Sequence, residues 1–201
     1  MNVTSLVKTV DNILFLMLMA IAPTVLVIII SFIFLLLPGE KNEIVQSLVV
    51  LPFSFVLIPG IVLLRQEKVR LEELGLKKFS KKDCVICTSC CLVLYIYLLS
   101  NYDIKAIVLL SVQTLIVAIS EEFWARGVLF YILRKLFNSW FVVVLMSSVI
   151  FVFITHMNRD IIENFLYRMP GALIMGFIYQ KTKKLQYSIL FHYIYNISGS
   201  L

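Results

Sequence analysis

Charged side chains are scarce in this sequence. Asp, Glu, Lys and Arg make up 15% of its 201 residues, whereas a soluble domain carries about a quarter. Hydrophobic residues make up 61%, and the mean hydropathy is +0.96. These values exclude an ordinary soluble domain and indicate an integral membrane protein with several spans. The length suits a single membrane-embedded domain over residues 1–201, without room for a second domain of useful size.

Acidic residues are fewer than basic ones, and the net charge is +6. A basic balance is compatible with a nucleic-acid partner, but most Lys and Arg residues here lie in short loops between apolar segments. In such loops they orient membrane spans, so we expect the lipid bilayer as surroundings and no nucleic-acid partner. The positive-inside rule places the N-terminus and the basic loops in the cytoplasm, and the C-terminus outside. These loops are residues 65–83, 134–135 and 181–184.

Cysteines are also few, and all four lie in one apolar segment. Their spacing, C-x-x-C-x-x-C-C, resembles part of a metal site, but no second C-x-x-C follows and no histidine joins them. We interpret them as small apolar side chains of a membrane span. They are Cys84, Cys87, Cys90 and Cys91.

Seven apolar segments take up most of the chain. Backbone groups in lipid must be bonded within their own segment, so each segment is predicted to be a helix. A span needs about 20 residues, which most of these segments approach or exceed. The predicted fold is therefore all-α, a polytopic membrane bundle of about seven transmembrane helices. The segments are roughly 12–37, 44–64, 84–100, 106–133, 139–157, 165–180 and 185–199.

Several connections and helix ends are also predicted. The first segment is too long for the apolar part of a cleavable signal and is interpreted as a retained span. Pro38-Gly39 is expected to end it in a tight turn. Loop 65–83 carries both basic and acidic residues and is expected to form a short amphipathic interfacial helix. Kinks are expected at the prolines within or beside spans, Pro23, Pro52, Pro59 and Pro170.

Three ionisable residues interrupt the fourth segment, and they require compensation. A charge at the centre of a membrane helix costs about 2.5–3.5 kcal/mol on insertion scales. Glu122 and Arg126 are four residues apart with the acid first, which is the favourable order for a helical ion pair. Glu121 points about 100° away from Glu122 and has no such local partner. We therefore expect Glu121 to face a polar cavity or a group on another helix.

Histidine is rare, with two residues in the chain. Both lie in apolar segments, His156 in the fifth and His192 in the seventh, with Asn196 one helical turn after His192. A buried histidine often bonds only a backbone carbonyl, but intramembrane ionisable residues more often mark functional sites. We expect these groups and Glu121 to converge on one cavity.

The depths of these groups along their helices do not agree by simple counting. His192 lies about 10 Å from the start of its segment at 1.5 Å per residue. Glu121 lies 15 residues along its own segment. His156 lies 17 residues along its segment, or about 25 Å. For the three to meet, the fourth helix is expected to continue to about residue 133; an inverted orientation and a miscounted span are the alternatives.

The motifs around these residues resemble the CPBP family, the CAAX-protease and bacteriocin-processing (Abi) intramembrane proteases. "EEFWAR" at 121–126 is similar to the family element EExxxR, and "HYIYN" at 192–196 to HxxxN. "FVFITH" at 151–156 stands where the family has FxxxH, although the position four before the histidine is Val152. The resemblance covers about residues 70–198, the motif-bearing region.

The resemblance implies a role for each motif residue. Glu121 with His156 would bind and activate a water molecule, and Glu122 with Arg126 would brace the motif helix. His192 and Asn196 would stabilise the oxyanion of the tetrahedral intermediate. The family carries both metal-independent and metalloprotease descriptions. Zinc therefore stays an open alternative, with Glu121, His156 and His192 as its ligands, and no other cofactor is expected.

The implied activity is an intramembrane endopeptidase acting on a membrane-associated peptide or protein, in a bacterial plasma membrane. Two alternatives remain at the level of sequence. One is self-immunity against a bacteriocin within the same family. The other is a proton-coupled transporter, because intramembrane Glu and His residues also form proton relays. Transporters often contain two related halves, and we see no internal repeat in this sequence.

Overall fold

The computed structural model describes residues 3–36 and 43–200, and these ranges form seven helices without any strand. The all-α bundle predicted from the sequence is confirmed. Within the described ranges, five helices are long and apolar enough to cross a membrane, namely Leu6–Leu36, Ser47–Gln66, Lys81–Asn101, Ile104–Leu136 and Ile161–Thr182. In chain order the helices are α1 (Val3–Leu36), α2 (43–66), α3 (Lys81–Asn101), α4 (Ile104–Leu136), α5 (Trp140–Thr155), α6 (Ile161–Thr182) and α7 (Leu185–Ser200).

Each predicted apolar segment corresponds to one of these helices, with shifted ends. Helix α1 begins at Val3, well before the predicted start at residue 12. Helix α4 continues to Leu136, so its predicted extension to about residue 133 is confirmed. The predicted turn at Pro38-Gly39 lies outside the described residues.

Three helices contain a π-helical segment, in which the backbone bonds reach one residue further than in an α-helix. Pro52 opens the segment Pro52–Leu57 of α2, and Pro170 lies two residues after the segment Asn164–Arg168 of α6. A proline cannot donate the regular backbone bond, which fits a change of helix type at these positions. The third segment, Phe123–Leu129 in α4, contains no proline and directly follows Glu122.

The predicted interfacial helix in loop 65–83 is wrong. Residues 67–80 form turns and irregular backbone, and α3 begins only at Lys81. Two apolar side chains of the loop, Val69 and Leu74, are buried in the protein core, so they are not available to face lipid. Gly75 adopts a φ of +87°, a conformation that favours glycine and interrupts a helix.

This loop reaches into the bundle between α4 and α7. The carbonyl oxygen of Gly75 accepts a hydrogen bond from Leu185 N at 3.0 Å, at the first residue of α7. A Cβ at Gly127 of α4 would lie 3.4 Å from the Leu74 carbonyl oxygen and 3.8 Å from the Leu185 side chain. Helix α7 therefore begins beside Gly127 of α4, nine residues before the end of that helix.

That starting point explains the depths of the two motif helices. His192 is seven residues after Leu185, or about 10 Å along α7, and Glu121 is six residues before Gly127, or about 9 Å along α4. Because Leu185 packs beside Gly127, these two distances bring His192 and Glu121 to the same level. Counting from the helix ends could not show this.

The three basic loops gather at one end of the bundle. Lys135, at the end of α4, pairs with Glu67 of loop 65–83, and Arg134 donates to Gln180 near the end of α6. Lys184, between α6 and α7, pairs with Asp83 at the start of α3. The predicted topology requires these loops to lie on the same side of the membrane, and the contacts agree with it.

Helix α3 is the most exposed helix of the bundle, and its cysteines are free. Cys84 and Cys90 are exposed, whereas Cys87 and Cys91 are half-buried. All four cysteines lie in the first half of α3. Ser80 caps the start of this helix, where its side chain accepts a hydrogen bond from Asp83 N. This arrangement agrees with their interpretation as side chains of a span.

Substituting Gly75 by alanine should destabilise the fold. A Cβ there would lie 2.5 Å from Cε2 of Tyr179, and the positive φ adds a backbone cost. We expect Gly75→Ala to lower the free energy of unfolding by about 1–3 kcal/mol, measured by circular dichroism during unfolding in mixed micelles. The control is Gly199→Ala, because nothing lies within 4 Å of a Cβ at Gly199. Equal stability of the two variants would contradict the packing described for the loop.

Candidate active site

The two adjacent glutamates lie where α4 changes from an α-helix to a π-helix. The α-helical part ends at Glu122, and all residues of the π-helical segment Phe123–Leu129 are buried. Trp124 within it donates from its indole nitrogen to the Met19 carbonyl of α1 at 2.7 Å. Short π-helical insertions frequently mark functional positions of a helix. Here the surrounding helices hold the segment on all sides.

Glu122 and Arg126 form a fully buried ion pair. Arg126 Nη1 lies 3.3 Å from Glu122 Oε1, and both side chains have 0% exposure. Arg126 Nη2 donates to the carbonyl oxygen of Ala172 in α6 at 2.7 Å, and Ser148 of α5 donates to the same oxygen at 3.1 Å. The guanidinium also stacks over the ring of Phe151, 4.9 Å from its centroid. The pair that the sequence predicted within α4 thus also joins α4 to α5 and α6.

His192 lies between the two glutamates. Its Nδ1 is 3.1 Å from Glu122 Oε1, and its Nε2 is 3.6 Å from Glu121 Oε2. His192 is 4% exposed, and its ring lies nearly perpendicular to the ring of Phe151, with 5.9 Å between the centroids. Glu121 therefore has its partner on another helix, as its direction on α4 required.

His156 lies at the C-terminal end of α5, outside the last helical turn. Its backbone nitrogen bonds to Val152 O, and its own carbonyl oxygen accepts from Asn164 Nδ2 at 2.9 Å. Its ring packs against Phe151 at 5.9 Å. In the part of the chain that the structure describes, no Glu121–His156 ion pair forms, and Glu121 is paired with His192.

One cavity of about 500 Å³ collects the motif groups of α4, α5 and α7. Glu121, His156, His192 and Asn196 all line it. Glu122 and Arg126 do not line it, and they lie behind His192 in the protein interior. Thr114, another lining residue, precedes Glu121 on α4. The cavity therefore extends from Glu121 toward the end of the bundle opposite the basic loops.

The three residues named above as possible zinc ligands do not form a metal-binding group in this structure. Among the described residues, no three His, Cys, Asp or Glu side chains are placed to bind one ion. His192 turns both ring nitrogens toward carboxylates of α4, and His156 contacts Phe151 and not Glu121. Glu121, His156 and His192 therefore line one cavity without forming a three-residue metal-binding group.

Phe151 is a site residue that the sequence did not indicate. It is 2% exposed, and its ring contacts His156, His192 and Arg126 together. The sequence drew attention to Val152, which departs from the family pattern and is buried in the core. The neighbouring phenylalanine fills the space between the histidines, and only the adjacent aromatic letters could have suggested it.

Further cavity residues lie at its mouth. Arg168 lines the cavity together with its ion-pair partner Glu163. Tyr195 donates from its hydroxyl to the Tyr167 carbonyl at 2.8 Å, and both tyrosines line the cavity as well. For polar residues near the start of a helix, the sequence carries no signal that distinguishes a cavity-lining residue from an ordinary surface residue.

Removing one member of the buried pair should be costly. We expect Arg126→Met to lower the free energy of unfolding by about 3–5 kcal/mol, because Glu122 would stay buried without its cation. The double variant Glu122→Gln/Arg126→Met should recover part of that loss, as a double-mutant cycle in mixed micelles would show. The control is Arg70→Met, whose pair with Glu73 is exposed to solvent. If Arg126→Met and Arg70→Met had the same free energy of unfolding, this account of the buried pair would be contradicted.

Comparison with known proteins supports the motif interpretation. The family model described as type II CAAX prenyl endopeptidase Rce1-like matches residues 103–198, which contain α4 to α7 and all motif residues. No match was found among curated proteins or among solved structures. The family match supports, in general terms, the activity of a CAAX-type intramembrane protease. The resemblance to the CPBP family is confirmed by this match, in which residues 103–198 are similar to the Rce1-like type II CAAX prenyl endopeptidases.

Proposed function

We propose that the chain is an endopeptidase that hydrolyses a peptide bond of a membrane-associated substrate in the cavity beside Glu121. One observation carries the proposal. A carboxylate, two imidazoles and an amide from three helices line a single cavity of about 500 Å³. Cavities of about 300–1,000 Å³ are typical of small-ligand sites. Peptide hydrolysis needs an activated water and donors for the developing negative charge, and both are available in this set.

Glu121 is the general base of this proposal. Its side chain is the carboxylate that faces the cavity, whereas the neighbouring Glu122 is bound by Arg126 in the interior. A water held between Glu121 and His156 attacks the carbonyl carbon, and Glu121 accepts the proton of that water. When the C–N bond breaks, Glu121 returns the proton to the leaving amine. Such proton transfer contributes about 10²- to 10⁴-fold to the rate.

His192 and Asn196 supply the donors for the oxyanion. They are one helical turn apart on α7, and both line the cavity. Glu122 accepts from Nδ1 of His192, which leaves Nε2 directed toward Glu121 and the cavity. With the proton on Nδ1 fixed by Glu122, a second proton on Nε2 makes the ring a charged donor. Arg126 stabilises the ionised form of Glu122 that holds this ring.

The proposed reaction uses no metal ion. In the described ranges, no three His, Cys, Asp or Glu side chains are placed to hold one metal ion. The substrates fitting the proposal are membrane-associated, such as prenylated CAAX proteins, bacteriocin or signal-peptide precursors and other membrane proteins. The proposed location is a bacterial plasma membrane.

Removing the proposed base or donor should abolish cleavage without unfolding the protein. We expect Glu121→Gln to lower kcat by at least about 100-fold, and His192→Ala by about 100- to 1000-fold. The measurement is cleavage of a fluorescent farnesylated CAAX peptide by purified protein in liposomes. Glu73→Gln is the matched control, since Glu73 is an exposed acid in loop 65–83. Full activity in both site variants would place the reaction elsewhere.

Chelation distinguishes the metal-free proposal from a zinc site. We expect cleavage of the same peptide to survive prolonged dialysis against 1,10-phenanthroline, because no step depends on a bound ion. Metal content of the dialysed sample is measured in parallel by mass spectrometry. Loss of activity that returns when Zn²⁺ is added would overturn the metal-free mechanism and leave the assignment as a protease intact.

A further inference from the structure

Arg168 is the single Lys or Arg among the described residues that line the cavity of Glu121 and the two histidines. It lies in the π-helical segment Asn164–Arg168 of α6, and its side chain is 27% exposed. The proposed hydrolysis uses a base and oxyanion donors but assigns no role to this cation. A positive charge in a membrane-embedded cavity is costly unless it is paired, and the partner of Arg168 here is Glu163 at 3.5 Å.

Neighbouring side chains hold Arg168 in place without occupying all its donors. Nη1 lies 3.3 Å from Asn164 Oδ1 and 3.5 Å from Glu163 Oε2. Asn164 is 2% exposed and donates to the carbonyl oxygen of His156, so one side chain connects Arg168 to His156. A guanidinium has five N–H donors in a fork that matches a carboxylate. Glu163 is 54% exposed, and such ion pairs are weak enough to be exchanged.

The charges of the cavity differ between its two ends. Glu121 is at the inner end beside His192, and it would repel an incoming carboxylate. Arg168 is at the mouth with Tyr167 and Glu163. A ligand with a terminal carboxylate therefore has one favourable orientation, with its carboxylate at Arg168 and the preceding peptide bonds toward Glu121.

We propose that Arg168 binds the C-terminal carboxylate of the substrate, an inference that rests on the proposed function of this cavity. The enzyme then selects peptide bonds a few residues from a free chain end. A CAAX sequence is itself C-terminal. Three extended residues span at most about 10–11 Å, so a bond cleaved three residues from the terminus would lie at most that far from the bound carboxylate. Arg168 and Glu121 line the same cavity.

The test compares two forms of one substrate. A fluorescent farnesylated CAAX peptide is prepared as the free acid and as the carboxamide, and kcat/KM is measured in phosphatidylcholine liposomes. We expect the wild type to prefer the acid by roughly 10- to 100-fold, the range of a hydrogen bond to a charged group. Arg168→Gln removes this preference mainly by raising KM for the acid, and it leaves the carboxamide unaffected. Arg168→Lys retains part of the preference because the charge remains but the fork is lost.

The control variant is Arg159→Gln. Arg159 is an exposed cation of the same connection between α5 and α6, and it does not line the cavity. This variant should keep the full preference for the acid. Equal cleavage of both peptides by the wild type, or an unchanged preference in Arg168→Gln, would overturn the inference. An equal loss on both peptides would show that Arg168 only supports His156 through Asn164, and this result also overturns it.

Anionic lipid is the competing ligand for Arg168, and adding phosphatidylglycerol to the liposomes tests it. If a headgroup occupies Arg168, Arg168→Gln alters cleavage of both peptides equally and only when this lipid is present. If the wild type cleaves neither peptide, the proposed function fails by itself. Binding of the labelled acid and carboxamide, measured by fluorescence anisotropy, then still tests Arg168. Equal affinities of the wild type for the two forms would refute its role.

Discussion

The structure of the site depends on one interaction, the buried ion pair between Glu122 and Arg126. Two charges without solvent contact are costly unless they are paired, and bonds to their remaining polar atoms lower the cost further. Beyond the pair itself, Arg126 donates to the Ala172 carbonyl and stacks on the ring of Phe151, and Glu122 contacts His192. Arg126 Nε and Glu122 Oε2 have no hydrogen-bond partner among the described residues, so the ion pair itself carries most of the compensation. The pair therefore joins α4 to α5, α6 and α7, and it fixes the ring that faces Glu121. A change that relaxes the pair would affect stability and the geometry of the cavity together.

The two adjacent glutamates take different roles because a helix separates their directions by about 100°. Glu122 is held in the interior, whereas Glu121 reaches the cavity at 8% exposure. The loop with Leu74 and Gly75 sets the level at which α7 begins, and so it determines which residue of α7 meets them. A loop far from the chemistry thereby positions His192 in the membrane interior.

Much of the architecture could be predicted because lipid imposes strong rules. Long apolar segments must be helices, and the seven helices and the extension of α4 follow from length and hydropathy. The motif residues could be named because intramembrane charge is rare and the motifs resemble a known family. Loop 65–83 was wrongly predicted as an interfacial helix, because an amphipathic pattern does not distinguish a lipid surface from a protein core. The structure also pairs Glu121 with His192, whereas the resemblance implied His156 as its closest companion.

By itself the sequence determined the class of fold, the order of the helices and the four motif residues that line one cavity in the structure. Hydropathy and local spacing express these properties, since they depend on the solvent and on neighbours within one helix. Only the tertiary structure decided the level at which α7 meets α4, the position of Phe151 between the histidines, and the place of Arg168 inside the cavity. These features arise from packing between residues far apart in the chain, and no periodicity along the sequence records such contacts.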